Sequence, residues 1–426
     1  MTLAERNWAG NYQYGAARLH RPESVEQLRE IVRRADRLKV LGSRHSFNGI
    51  ADTGGDLVSL ERLDRVIAVD RERRQVTVDG GIRYGQLCGE LDREGYALPN
   101  LASLPHISVA GACATATHGS GDGNGNLSTA IAALELVTAD GELVTLSRER
   151  DAEELRGAAV ALGGLGVVTR VTLDVLSAFD MRQDVYEHLP LGQLEAHFDE
   201  ITSSAYSVSL FTDWREPSFT QLWLKRRVDA DVAAKAAPEP ELFGATRAPA
   251  PRHPIAGLPP ENCTEQLGAR GPWYQRLPHF RMDFTPSSGE ELQSDYLVPR
   301  PHALAALREI DGLRGRVAPL LQVSEVRTVA ADDLWMSPCY RQACVSIHFT
   351  WKPDWPAVQA LLPAIEARLA PLDARPHWGK LFATPPARLR ALYERLPDFR
   401  QLLERHDPRG KFRNAFLDGC IFGADE

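Results

Sequence analysis

Apolar and polar positions change period repeatedly along the early part of the chain. Val25, Leu28, Val32 and Ala35 recur at three- and four-residue spacing, which marks one face of a helix. Ser24-Val25-Glu26-Gln27 has the form of a capping box at its start. Short strand-like runs follow at Lys39-Val40-Leu41, Leu57–Leu60, Val66–Val69 and Val76–Val78, then a helical stretch over Tyr84–Glu94. Leu134–Thr138 and Leu143–Leu146 flank Asp140-Gly141, a hairpin signal because this dipeptide tolerates positive φ. Val167–Val175 reads as a strand that closes the first unit. The pattern is mixed α+β, with short strands in place of a regular strand–helix alternation.

Beyond about residue 178 the texture changes. Strands are predicted at Ser207–Trp214, Gln221–Lys225, Gln293–Val298, Leu321–Val329 and Val345–Trp351, and helices at Pro301–Leu313 and Pro356–Leu369, the latter capped by Asp354. The Ala/Pro-rich stretch from Val228 to Pro260 lacks periodicity and reads as a long surface excursion. The tail from Pro385 is helical and ends in Asp407-Pro408-Arg409-Gly410-Lys411-Phe412-Arg413-Asn414.

Composition narrows the class. The chain has 426 residues, 43% hydrophobic and 25% charged, which suits two or three globular domains. Its net charge of −8 supplies no basic field to collect nucleic acid or anionic lipid. The six cysteines form no C-x-x-C pair and no ligand spacing with histidine, so reduced thiols and no metal site are expected. Met1–Arg21 has no apolar signal region, and charges interrupt the long apolar stretches. A cytoplasmic, non-membrane monomer is the expectation.

Two segments carry the first candidate chemistry. Leu41-Gly42-Ser43-Arg44-His45-Ser46-Phe47 puts one imidazole on a glycine-led turn after a strand, and loops on rigid strands carry chemistry. A neutral imidazole nitrogen there can attack an electrophilic cofactor carbon, although most single histidines are hydrogen-bonded structural residues. Ser108–Gly121 is a run of small residues whose backbone N–H groups can approach a diphosphate. It reads equally as an Ala/Gly helix packed on a sheet. The G-x-G-x-x-G and Walker patterns are absent from the expected places.

Farther on, Glu325 and Arg327 lie two apart on one predicted strand, and His348 and Thr350 two apart on another. Each pair therefore projects from one face. Lys380 follows the Pro376-His377-Trp378 corner. Read alone, these are a surface salt bridge and strand polars as readily as a pocket.

Taken in order, several blocks resemble one family. Leu98–Gly111, Ser207–Arg215, Asn262–Gln266 and Arg375–Lys380, with the two segments above, are similar to the vanillyl-alcohol-oxidase-type flavoproteins, and within them to the alditol (xylitol/sorbitol) oxidases. The sugar-lactone oxidases are next. The resemblance covers essentially the whole chain and implies a two-domain, PCMH-type fold. An FAD-binding α+β domain would span 1–178, and a substrate domain with an antiparallel sheet flanked by helices would span 179–375. A segment over 376–426 would return to the FAD domain.

The resemblance also implies FAD bound covalently through its 8α carbon by His45. Leu41, Gly42, Ser43, Arg44, Ser46, Phe47, Ser108, Gly111, Thr115, Thr117, His118 and Gly119 would wrap the diphosphate, with Ser103, Val168 and His377 against the cofactor. Ser103, Gln293, Glu325, Arg327, Thr350 and Lys380 would bind substrate. His348 would take the hydroxyl proton, while Arg327 and Lys380 stabilise the developing alkoxide. Arg44 departs from the glycine usual at its position in alditol oxidases. The implied reaction oxidises the terminal hydroxyl of xylitol, sorbitol or a similar alditol to the aldose, with O2 reduced to H2O2. An aldonolactone oxidase or dehydrogenase on the same scaffold and a catalytically silent flavin-binding protein are the alternatives.

Overall fold

The computed structural model describes residues 5–228, 238–284 and 291–423. Part of the Ala/Pro-rich excursion, 229–237, lies outside the described residues. Of the remainder, Glu241–Leu242 and Ala245–Arg247 form a hairpin that joins the edge of the large sheet through Asp180–Pro190. No described helix is long and apolar enough to cross a membrane.

Two small sheets form the N-terminal part. Arg18–His20, Asp56–Val58 and Leu38–Val40 make a parallel three-stranded sheet in that spatial order. The helix Val25–Arg34 that connects two of them is capped by Ser24, whose side chain accepts from Gln27 N at 3.2 Å. Its buried Leu28 and Val32 pack with Leu38, Val58 and Val137. The second sheet is antiparallel: Val66–Asp70, Gln75–Asp79, Val167–Asp174, Ile131–Val137 and Leu143–Ser147. The Asp140-Gly141 turn joins its last two strands, with Gly141 at φ +77°.

A ten-stranded sheet dominates the rest. Its centre runs in the order Ser218–Arg227, Ser207–Thr212, Leu321–Val329, Cys344–Trp351, Leu292–Pro299, all antiparallel. Ile347, Phe349 and Trp351 face a core closed by the helices Ala303–Asp311 and Trp355–Leu369, through Leu307, Ile310, Val358, Leu362 and Ile365. Alternation then sends His348 and Thr350 to the opposite face.

One strand escaped the hydrophobic pattern. Asp180–Pro190 pairs along its length with Ser218–Arg227, yet it carries Arg182, Gln183 and Asp184 in buried positions. Asp184, fully buried, is surrounded by Arg182 Nε at 3.3 Å, Arg247 Nη2 at 3.2 Å and Arg226 Nη1 at 3.8 Å. Cross-strand ion pairing replaces apolar packing there, so polarity misleads a reading built on burial of apolar residues.

The C-terminal helices Pro386–Leu392 and Leu396–His406 return to the core of the N-terminal antiparallel sheet. The following turn is fixed by polar contacts. Asp407 accepts from the Lys411 and Phe412 amides, and Asn414 Nδ2 meets the carbonyls of Gly49, Ile50 and Asp52 at 2.8–3.1 Å. Those carbonyls lie just beyond the His45 turn. Asn414→Ala removes the side-chain donor from the buried Ile50 carbonyl and from that of Asp52, while Gly49 O keeps the Asp52 amide; it is expected to cost about 1–3 kcal/mol, read as a clear fall in the thermal unfolding midpoint. An unchanged midpoint would show that the tail does not brace this turn.

Candidate active site

Two cavities meet at His45. One, about 200 Å³, runs over the N-terminal part and is lined by Leu41–Ser46, Ser108, Gly111, Thr115, Thr117 and Val168. The other, about 590 Å³, opens against the large sheet and is lined by Ser103, His118, Gln293, Glu325, Arg327, His348 and Thr350. His45, Thr117, His377 and Lys380 line both. Together they offer the long, partly apolar cleft that a dinucleotide plus a small substrate requires.

Backbone approach builds the first cavity. A Cβ added at Gly80 would lie 2.2 Å from Val168 O, and one at Gly81 would lie 1.8 Å from Leu60 O. Only glycine lets these segments close up along the cleft. The small-residue run forms a short helix, Val109–Ala114, that begins at Ser108. The helix packs Val109, Ala112 and Cys113 into the core, while Ser108, Gly111 and Thr115 face the cleft.

The His45 turn is held from the N-terminal side. Trp8 N donates to Arg44 O at 2.9 Å, Asn7 Nδ2 to Ser46 O at 3.0 Å, and Asn11 Nδ2 to Phe47 O at 2.9 Å. Arg44 sits at φ +64°, the left-handed region that favours glycine, and its guanidinium pairs with Glu5. The imidazole of His45 lies 4.4 Å from the Trp8 ring and 5.1 Å from that of His106. Its Nδ1 is buried without a hydrogen-bond partner. Burial first, then the positive field of Lys380, holds its pKa well below the usual histidine value. The ring is therefore neutral and retains a lone pair.

Two residues expected at the cofactor do not line either cavity. Phe47 is buried in the core of the large sheet and meets His45 only edge-on, with ring centroids 5.6 Å apart. Its ring packs in that core with the Lys380 ammonium 5.0 Å from its centroid. Gly119 packs behind the wall, where an added Cβ would lie 2.3 Å from both Asn100 Oδ1 and Leu101 O.

The second cavity has a polar floor. Its organiser is Asp295, which the strand spacing had not singled out. Buried at 1% exposure, its carboxylate meets His348 Nδ1 at 3.3 Å, His118 Nε2 at 3.4 Å, Arg327 Nη2 at 3.4 Å and Ser346 Oγ at 2.7 Å. Its backbone O accepts from His377 N at 2.9 Å. Burial alone would raise its pKa, but the hydrogen bonds from His118 and His348 hold it well below the usual carboxylate value. An ionised carboxylate only accepts, so His348 Nδ1 must donate to it and Nε2 keeps the lone pair. That nitrogen lies 3.2 Å from Thr350 Oγ1.

Glu325 Oε2 lies 3.5 Å from Arg327 Nε, and its Oε1 accepts from His279 Nε2 at 2.8 Å. Burial opposes the Glu325 charge, yet Arg327 and His279 lower its pKa. Lys380 donates to Gln293 Oε1, and burial pushes its pKa down to about 8. His279, like Asp295, was not apparent from the sequence. Asp295 had a signal, since it lies two residues from Gln293 on one strand. His279 had none, because it sits in a loop with no period.

Comparison with known proteins places this geometry. An FAD-binding-domain family model matches residues 16–147, and a D-arabinono-1,4-lactone oxidase model matches 288–420. An alditol oxidase from a Streptomyces strain is 49% identical over 99% of this chain and 100% of its own length. The chain belongs to the alditol oxidase family, among the vanillyl-alcohol-oxidase-type flavoproteins. The bovine L-gulonolactone oxidase is 28% identical over 98% of both chains, and a Mycobacterium tuberculosis L-gulono-1,4-lactone dehydrogenase is 30% identical over 96% of this chain and 97% of its own.

Among solved structures, a solvent-stable cholesterol oxidase matches with TM-score 0.77 at 16% identity, covering 97% of this chain and 96% of that one. A cholesterol oxidase from B. sterolicum matches with TM-score 0.76 at 14% identity, over 98% and 96%. These share the α+β, PCMH-type fold. This alditol oxidase family member is an FAD enzyme, and its residues fit that cofactor. The glycine-lined cleft beside His45 has room for a dinucleotide, and Lys380 places a cation at the cavity junction where an electron-accepting ring gains negative charge.

Removing the Asp295 charge tests the polar floor. Asp295→Asn removes one of the two carboxylates that face Arg327, leaving Glu325, and weakens the hydrogen bonds from His118 and His348; it is expected to lower stability by about 1–3 kcal/mol. It should also slow turnover of whatever alcohol the enzyme oxidises, through the altered His348. Unfolding and turnover both unchanged would contradict the role of Asp295 as organiser.

Proposed function

We propose that this protein is an FAD-dependent alditol oxidase that converts the terminal CH–OH of xylitol, sorbitol or a similar polyol to the aldose while O2 becomes H2O2. The convergence of Ser103, Gln293, Glu325, Arg327, Thr350 and Lys380 on one cavity beside His45 carries this reading. So many donors and acceptors suit a substrate with several hydroxyls and leave an apolar sterol or fatty alcohol with unpaired polar groups. Six cysteines, all free and buried, agree with a cytoplasmic setting.

When bound, FAD would supply the hydride acceptor and the route for two electrons to dioxygen. Leu41–Ser46, Ser108, Gly111, Thr115, Thr117 and Val168 hold the nucleotide. The neutral, unpaired imidazole of His45 supports an 8α-histidyl bond. On the substrate side, Glu325 and Gln293 accept from hydroxyls, Ser103 and Thr350 donate or accept, and Arg327 donates.

His348 takes the hydroxyl proton at Nε2 as hydride leaves, and Asp295 stabilises the imidazolium that results. Burial lowers the His348 pKa ahead of the opposing pull of Asp295, which keeps the resting ring neutral and ready to accept. Arg327 and Lys380 supply positive charge where the substrate oxygen loses its proton. Because the D-arabinono-1,4-lactone oxidase model covers 288–420, oxidation of a sugar lactone on the same floor is the second reading.

Purified protein is expected to release peroxide with xylitol or sorbitol and to remain yellow on the denatured chain, whereas His45→Ala releases its flavin on denaturation. Colour that separates from the wild-type chain would remove the covalent bond from the account. His348→Ala should reduce the rate of cofactor reduction by xylitol about 10²–10⁴-fold, and a wild-type rate would remove it as base. Lys380 is charged below about pH 8 and neutral above. Accordingly kcat/KM should decline as pH rises through that value, and Lys380→Arg should lack this limb.

A further inference from the structure

Behind the Glu325 carboxylate lies a buried cation that the reaction itself does not use. Lys225, 1% exposed, sits on the strand Ser218–Arg227. Its ammonium donates to Leu277 O at 2.5 Å and Pro278 O at 3.1 Å, and it lies 3.1 Å from His279 Nδ1. The imidazole between it and Glu325 is locked in place. Its ring packs edge-on against Phe211 and Trp223 at 5.4 and 5.3 Å, and His279 N donates to Ser103 O at 3.2 Å. The His279 loop thus touches both Ser103 and Glu325, two of the groups that line the substrate cavity.

Counting donors fixes the protons. An ammonium has three N–H bonds and no acceptor. Two go to carbonyls, which also only accept, so the third meets His279 Nδ1 as an acceptor. Burial, then Lys225, lowers the His279 pKa to about 4, and the neutral ring must carry its single proton on Nε2. That proton points at Glu325 Oε1, 2.8 Å away. If Lys225 were uncharged, its two remaining N–H bonds would serve the carbonyls and its lone pair would face Nδ1. The single ring proton would then face two acceptors, the Lys225 lone pair at Nδ1 and Glu325 Oε1 at Nε2, and could serve only one of them.

We propose that Lys225 and His279 are positioning residues for substrate recognition: the Lys225 ammonium removes the competing acceptor at Nδ1 and so secures the His279 tautomer that Glu325 requires, and the Nε2–H so placed keeps Glu325 an aimed, acceptor-only carboxylate that reads the hydroxyl pattern of the polyol. This rests on the polyol reading of the cavity. It assigns selectivity among polyols to a residue pair one and two hydrogen bonds removed from the substrate.

The experiment compares wild type, Lys225→Met, His279→Phe and His279→Gln at pH 6, below the Lys225 pKa that burial pushes down to about 7. Each is assayed with xylitol and with 1,2-propanediol, which lacks the additional hydroxyls. Flavin content and thermal midpoint are recorded alongside. Lys225→Met and His279→Phe should raise KM for xylitol about tenfold with a much smaller change in kcat, and the preference for xylitol over the diol should fall by a similar factor. His279→Gln keeps an N–H near the Nε2 position and should retain more of that preference than His279→Phe. Unchanged selectivity in both Lys225→Met and His279→Phe would overturn the proposal.

A second readout does not depend on turnover or on the variants folding well. In the 15N spectrum of wild-type protein labelled at histidine, His279 should show an unprotonated Nδ1 and a protonated Nε2. The reverse tautomer overturns the proposal. A wild-type enzyme that oxidises no polyol would instead sink the substrate reading, and the spectrum would still decide the tautomer.

Discussion

Asp295 carries its negative charge where water is nearly excluded, and the groups around the cavity are arranged to stabilise it. The charge cannot stand alone, because an unpaired buried carboxylate would protonate. It draws His118 from the N-terminal part of the chain, His348 from the adjacent strand and Arg327 from the strand beyond that, and its own backbone oxygen holds the His377 amide. One carboxylate thereby registers the nucleotide cleft against the large sheet. It also decides which nitrogen of His348 is free.

The same logic recurs across the sheet. Glu325 is stabilised by Arg327 on one oxygen and His279 on the other, and His279 is oriented by Lys225. Asp184 is surrounded by three arginines on a strand farther out. Each case exchanges apolar packing for paired charge, with strict geometry as the consequence. Such pairs add little net stability over a hydrophobic isostere, but breaking one is costly. A cavity floor built from them is rigid and polar at once, which is what recognition of a multiply hydroxylated substrate demands.

Much of this was legible in the chain. The helix at Val25, the Asp140-Gly141 hairpin and the strands bearing Glu325, Arg327, His348 and Thr350 follow from apolar periodicity, because in those elements one face is buried by apolar contact. The strand Asp180–Pro190 was not legible, since its buried residues are paired charges. Asp295 was overlooked although it shares a strand face with Gln293. The rule that joins residues two apart on a strand finds it when applied to that pair. His279 and Lys225 could not be found this way, because their partnership joins a loop to a strand distant in sequence. Phe47, the last residue of the His45 segment, turns its side chain into the core of the large sheet.

The central claim is that the polar floor beside His45 reads an open-chain polyol. Mixing the oxidised protein with xylitol or with L-gulono-1,4-lactone in the absence of oxygen, and following the flavin absorbance, tests it most directly. The account predicts rapid bleaching by xylitol and slow or no bleaching by the lactone. Bleaching by the lactone with none by xylitol would contradict it.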